Sequence, residues 1–272
     1  MKSKFIFKHL ILMFFSFLAI GPVLIVIINS FKTRTAIFGN PYELPNMKTF
    51  SVIGYKTVQA RSNFGTYYFN SLVITIASLL LILFFSSMVA YALSEYNFKG
   101  NGLIYIYFII GLIIPIRLGS VSLLRLIVSL NLIDKLLSLI LVYTAQGLPM
   151  AVFVLTQFMR KIPKALKEAA RIQGASEYRI YWLVLPLIRP AIATVAAFTM
   201  IPIWNDIWFP LILTSGEKSK TVTMGAQQFL GQFANDWNAV LAALSMAIIP
   251  VLILYYIFSK QLLRGLTAGA IK

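Results

Sequence analysis

Six stretches of about twenty or more residues, nearly free of charge, run through this chain. Each matches the length a helix needs to cross the roughly 30 Å hydrocarbon core of a bilayer. They cover about 10–31, 67–94, 103–124, 136–159, 190–213 and 237–259. Arg117 interrupts the third and Asp206 the fifth. Inside lipid a chain must satisfy its own backbone N–H and C=O groups, which a helix does. The runs therefore predict an all-α integral membrane protein: one transmembrane domain over 1–272, six helices, both termini on one side.

Charge agrees with that reading. Only 12% of the 272 residues are charged, against about a quarter in soluble domains, so most of the surface must face lipid. The net charge of +16 would suggest nucleic acid in a soluble protein. In a membrane protein it follows from the retention of Lys and Arg in cytoplasmic loops, and the basic residues lack the interleaved aromatics of a nucleic-acid groove. With the N-terminus inside, the densest basic cluster, from Arg160 to Arg189, falls inside too. The chain has no cysteine and a single histidine, His9. Thiolate metal sites, disulfides and cysteine nucleophiles are excluded. The eight acidic residues are scattered and give no acid–base pair. No catalytic residue and no metal site are expected. Lys2, Lys4 and Lys8 precede the first run as in a signal peptide, but the run is too long and no small-residue cleavage site follows. It is read as an uncleaved span.

The loop 160–189 is long, polar and helical in pattern. Pro163 suits a first helical turn, Lys164 to Gln173 are good helix formers, and Gly174 fits the left-handed residue that ends a helix. Ser176 can cap a second short helix, with Glu177 in its first turn. Ala165 and Ala169 share a face that Ala170 adjoins, so another surface can approach closely. On the residues alone, two readings stand: a docking element for a partner, or an amphipathic helix on the inner leaflet.

Glu168-Ala169-Ala170, three residues, Gly174 and then Leu183-Val184-Leu185-Pro186 resemble the EAA loop of binding-protein-dependent ABC permeases. Asn70-Ser71-Leu72, Ala90-Tyr91-Ala92-Leu93, Trp204-Asn205-Asp206, Gln227-Gln228-Phe229 and the tail Arg264-Gly265-Leu266-Thr267-Ala268 extend the likeness to the sugar-importing branch, on the side of its second, maltose-type permease. The gap after Gly174 is one residue shorter than usual, which would rotate the second short helix and Trp182.

The resemblance implies a type I importer permease fold with a cytoplasmic coupling helix. It also implies a second homologous permease, an ATPase dimer, an extracellular solute-binding protein, and a place in a bacterial cell membrane with both termini cytoplasmic. Glu168, Ala169, Ala170 and Gly174 would couple to the ATPase. Asn70, Arg117, Trp204, Asn205 and Asp206 would line the solute path, unless Asp206 and Arg117 only mark the outer boundary. Gln227, Gln228 and Phe229 would meet the binding protein or form an interfacial loop. Arg264, Gly265 and Thr267 would touch the ATPase or fray. The sequence lacks a Gly-x4-Gly-Lys-Ser/Thr loop, so ATP and Mg belong to the partner and no cofactor to this chain. A gradient-driven transporter is the alternative. It would place ionisable groups in several spans, where this chain has Arg117 and Asp206.

Overall fold

The computed structural model describes residues 2–230 and 236–268, with backbone alone at 2–5, 254 and 257–268. Helices follow one another along the chain: α1 (Lys2–Ser30), α2 (Arg34–Gly39), α3 (Ile53–Arg61), α4 (Phe64–Glu95), α5 (Asn101–Ile113), α6 (Ser120–Ser129), α7 (Leu136–Arg160), α8 (Lys164–Ile172), α9 (Glu177–Leu187), α10 (Arg189–Asn205), α11 (Trp208–Leu213), α12 (Val222–Gln227) and α13 (Trp237–Ala268). An isolated antiparallel bridge joins Lys32 and Phe50. Two compact units emerge, one from 1–67 with 221–250, the other from 68–220 with 251–272. Two of the three boundaries fall inside helices, α4 and α13, and the third falls in the loop before α12.

α1, α4 and α7 are each long and apolar enough to cross a membrane, and two further spans exist if bent pairs are counted. The expected third span is one of these pairs, and it is broken. α5 has 13 residues, about 20 Å at 1.5 Å per residue, short of the hydrocarbon core. Pro115 ends it: proline has no N–H to donate and pushes its predecessor out of the helical region. Ile114 is extended, at φ −77° and ψ 118°. A 3-10 turn over Ile116–Gly119 then leads into α6, and the two halves lie 84° apart. The fifth span differs as well. α10 stops at Asn205, Asp206 is extended, and α11 restarts at Trp208. Upstream, α9 meets α10 at 72°. Hydropathy counts apolar residues and carries no information on such bends.

In the second unit the core gathers on α7, where Leu139, Tyr143, Ala151, Leu155 and Met159 are buried among Ile74 and Ile82 of α4, Ile180 and Val184 of α9, and Val195 of α10. A Cβ on Gly147 of α7 would run into the Ile82 side chain, so the glycine leaves the room that Ile82 of α4 fills.

In the first unit, polar groups at the end of α1 hold the following loop. Asn29 Nδ2 donates to the carbonyls of Ile25 and Pro41, each at 2.8 Å. The buried ammonium of Lys32 donates to the carbonyls of Asn40 (2.8 Å) and Pro41 (3.3 Å). Asn238 Nδ2, from the first turn of α13, donates to the Lys32 carbonyl at 2.7 Å. Gly54 of α3 sits against the Asn238 backbone carbonyl, where a Cβ would overlap it. Backbone cannot yield as a side-chain end does. Gly54→Ala is expected to cost about 1–3 kcal/mol, as overpacking does. A lowered thermal midpoint in detergent is the check, and an unchanged midpoint would contradict the close approach of α3 and α13.

Candidate functional site

α8 runs Lys164 to Ile172, with Pro163 at its N-cap rather than in its first turn. It ends as the sequence predicts. Gly174 adopts φ +78°, the Gly174 N–H donates to the Arg171 carbonyl at 2.9 Å, and the Ala175 N–H donates to the Ala170 carbonyl at 3.0 Å. These two bonds make a Schellman cap, which leaves few orphan carbonyls and favours glycine at its left-handed residue. Ser176 occupies the N-cap of α9 without a side-chain cap bond.

The helix has two faces. Ala165, Leu166, Glu168, Ala169 and Ile172 are exposed, and Ile172 shows 87% of its surface. Lys167 is buried and Arg171, one turn on, is half-buried. Ala170 also turns partly inward and packs on the core, so of the four expected coupling residues Glu168 and Ala169 face outward, while Gly174 is exposed at the cap. The neighbouring Tyr178 and Trp182 of α9 are 79% and 65% exposed, so an apolar surface extends beyond α8.

What grips the inward face is Glu95, the last residue of α4. One carboxylate oxygen pairs with the Lys167 ammonium, the other accepts from Arg171 Nη2 at 2.6 Å. The side chains of Lys167 and Glu95 are only 6% and 8% exposed. Arg171 also donates to Glu177 Oε1 at 2.8 Å, and the hydroxyls of Tyr96 and Tyr91 donate to Glu177 Oε2 at 2.8 and 3.1 Å. A buried pair like Glu95–Lys167 adds little net stability, because desolvation offsets attraction, but removing one partner strands the other. Such a pair sets register. The sequence reading missed Glu95 and Lys167. Their partnership spans 72 positions, and the one local signal is that Lys167 and Arg171 lie one turn apart opposite Glu168.

Hydrogen bonds from Arg171, then Tyr96, hold the Glu177 carboxyl at about 2, below its usual 4.5. Bonds to Glu177 and then to Glu95 push the Arg171 guanidinium above its ordinary range. A depressed carboxyl stabilises the fold in full above its unfolded value and loses that contribution as pH falls through the folded one. Glu177 is 45% exposed, so solvent keeps the effect small. Exchange of the amides at 174–180, corrected for intrinsic rate, is expected to stay flat between roughly pH 7 and pH 5 and to rise only below the ordinary glutamate range. A rise already at pH 5 would contradict the arrangement.

At the other end of the second unit, Asp206 ties three elements together. Its Oδ2 accepts from the Phe209 N–H at 3.0 Å, capping α11, and from the Tyr143 hydroxyl of α7 at 2.9 Å. Its Oδ1 meets Arg117 Nη2 at 3.4 Å. The Asp206 side chain is 10% exposed and that of Arg117 is 65% exposed. Trp204, expected on the path, is buried at 2%, because the helix phase turns it into the core. Asn205 is exposed. The accessible indole is Trp208, whose Nε1 donates to Ser120 Oγ at 2.9 Å and whose ring lies 5.9 Å from the Arg117 guanidinium. Beside this cluster opens a cavity of about 840 Å³, lined by Tyr107, Phe108, Arg117, Tyr143, Gln146 and Phe198 among others.

Asn70, also expected on the path, is buried and spent on backbone: its Nδ2 donates to the carbonyls of Lys218 (2.8 Å) and Lys220 (2.9 Å). Asp134 holds the same loop. It accepts from the N–H groups of Gly216 (2.8 Å) and Ser215 and from the Ser215 hydroxyl at 2.9 Å, and those backbone bonds lower its carboxyl below the usual range. Gln227 and Gln228 are exposed, but Phe229 is buried and offers no face to a partner. Arg264, Gly265 and Thr267 lie in the last turns of α13, and their side chains fall outside the described residues.

Comparison with known proteins places this arrangement. The sequence pattern of the family described as binding-protein-dependent transport system inner membrane component matches residues 82–267. The ORF2 protein of Caldicellulosiruptor sp. (strain Rt8B.4) is 37% identical over 267 residues, covering 95% of this chain and 96% of that one. The arabinooligosaccharides transport system permease protein AraQ of Halalkalibacterium halodurans is 34% identical, covering 95% and 93%. The diacetylchitobiose uptake system permease protein NgcG of Streptomyces coelicolor is 31% identical, covering 97% and 88%. A chain of a bacterial ABC transporter involved in import of the acidic polysaccharide alginate superposes with a TM-score of 0.82 at 22% identity, covering 95% and 96%. The chain belongs to the family of binding-protein-dependent transport system inner membrane components, as a permease subunit of an ABC importer.

Proposed function

We propose that this chain is one of two homologous permeases that together line the path of a carbohydrate. An extracellular binding protein delivers the solute, and an ATPase dimer docked on α8 supplies the energy. The observation that carries this reading is the two-faced α8. Its outer face is small and apolar around Glu168, shaped for close approach by another surface, while its inner face is fixed to α4 by buried charge. The names of AraQ and NgcG support a carbohydrate as the solute.

Glu168 pairs with a basic group on the ATPase, Ala169 admits its backbone closely, Ala170 seats the helix on the core, and Gly174 closes the turn. ATP and Mg stay on the partner, and this chain binds no cofactor. Six crossings, counting both bent pairs and α13, put both termini on the cytoplasmic side of a bacterial cell membrane, and 1–272 works as one permease domain. Arg117 and Asn205 face the solute beside the aromatic cavity, with Asp206 as the buried counter-charge of Arg117. Asn70 and Trp204 hold the wall in place. Gln227 and Gln228 meet the binding protein, and Arg264, Gly265 and Thr267 reach toward the ATPase.

Glu168→Lys and Gly174→Pro are expected to insert and assemble yet to lose at least about fivefold of the solute-stimulated ATP hydrolysis, the lower end of allosteric coupling factors. Uptake in whole cells should fall in parallel. Stimulated hydrolysis unchanged in both assembled variants would contradict docking through α8.

A further inference from the structure

Of the described helices longer than fifteen residues, α1, α7, α10 and α13 each contain a proline, at Pro22, Pro149, Pro202 and Pro250. α4 has none, and from Asn70 to Glu95 it has no glycine either. Proline and glycine are where helices kink. This stretch of α4 is therefore the stiff rod of the second unit, about 38 Å long at 1.5 Å per residue.

Both ends of the rod are fastened by buried polar side chains. At one end Glu95 grips Lys167 and Arg171 of α8. At the other, Asn70 grips the carbonyls of Lys218 and Lys220. The loop so gripped is itself rigid, because Asp134 binds Ser215, Gly216 and Ser219. A stiff element fixed at both ends moves its two attachments together, whereas a helix with a proline can bend between them.

We propose that α4 is the push-rod of the importer, carrying movement of α8 through Glu95 to the loop 214–220 through Asn70. Glu95 and Asn70 are then positioning residues for transport: neither touches ATPase or solute, and both decide whether the docking face and the far loop move as one. The inference rests on the docking of α8 to an ATPase proposed above.

The chain has no cysteine, so a nitroxide on Lys218→Cys, an exposed side chain, reports from a single place on this subunit. The probe is Mg-ATP, added to the complete importer in nanodiscs with cysteine-free partner subunits and a hydrolysis-blocked ATPase. ATP should change the nitroxide spectrum, and Glu95→Gln should cut that change at least about fivefold while leaving the ATP-free spectrum as it was. A merely structural role for Glu95 would alter the ATP-free spectrum instead. Glu95→Asp keeps the buried charge but shortens its reach, and it should cut the change partway. It carries the test if the Gln variant does not assemble. Adding Asn70→Ala to Glu95→Gln should cost nothing further, since residues acting in series are not additive. No ATP response in the parent, or a full response in Glu95→Gln or Glu95→Asp, would overturn the proposal. Gly174→Pro separates the two levels. If it abolishes the response and the Glu95 variants do not, the rod fails alone. If it leaves the response intact, docking through α8 fails with it.

Discussion

Hydrocarbon offers no hydrogen bonds, and that deficit governs the architecture of this chain. It forces the backbone into helices wherever the sequence enters lipid, and it makes each interruption a place where polar groups need other partners. Pro149 deprives the Ala145 carbonyl of its helical donor, and Pro202 deprives that of Phe198. Both residues line the cavity beside Arg117 and Tyr143. Irregular backbone at membrane depth is tolerated where it lines a cavity, so the breaks and the cavity are one feature. The same holds at Asp206, where the helix stops and the carboxylate caps its continuation while accepting from Tyr143.

Where charge is buried, at the junction of α4 and α8, it sets register rather than stability. Glu95 and Lys167 are nearly fully covered. Desolvation cancels much of what their attraction would contribute, yet a wrong pairing would leave a bare charge inside. The arrangement fixes how α8 sits on α4, which a surface of alanines could not do alone. Exposed pairs such as Arg61–Asp236, at 3.7 Å, contribute far less.

Much of this was legible in the sequence, for local reasons. α1, α4 and α7 coincide closely with the apolar runs that predict them, because length and hydropathy decide a straight span. Gly174 was legible because a left-handed residue at a helix end favours glycine. The broken third span was less so, although Pro115 stands in the middle of it. Trp204 and Trp208 are four residues apart and both apolar, and only the break at Asp206 separates the buried ring from the accessible one. Asn70 opens a span and reads like a polar group at a path, but its partners are backbone carbonyls some 150 positions away. Glu95 and Lys167 were invisible for the same reason. Pairing across distant segments leaves no periodic trace in one chain.

The central claim is that the exposed face of α8 is where another subunit drives this one. A photo-cross-linking residue at Ala169, in the importer purified from its native membranes, tests it most directly. The expected adduct joins this chain to an ATP-hydrolysing subunit, and moving the cross-linker to the buried Lys167 position abolishes it. An adduct to lipid alone, or to a second copy of this chain, would contradict the claim.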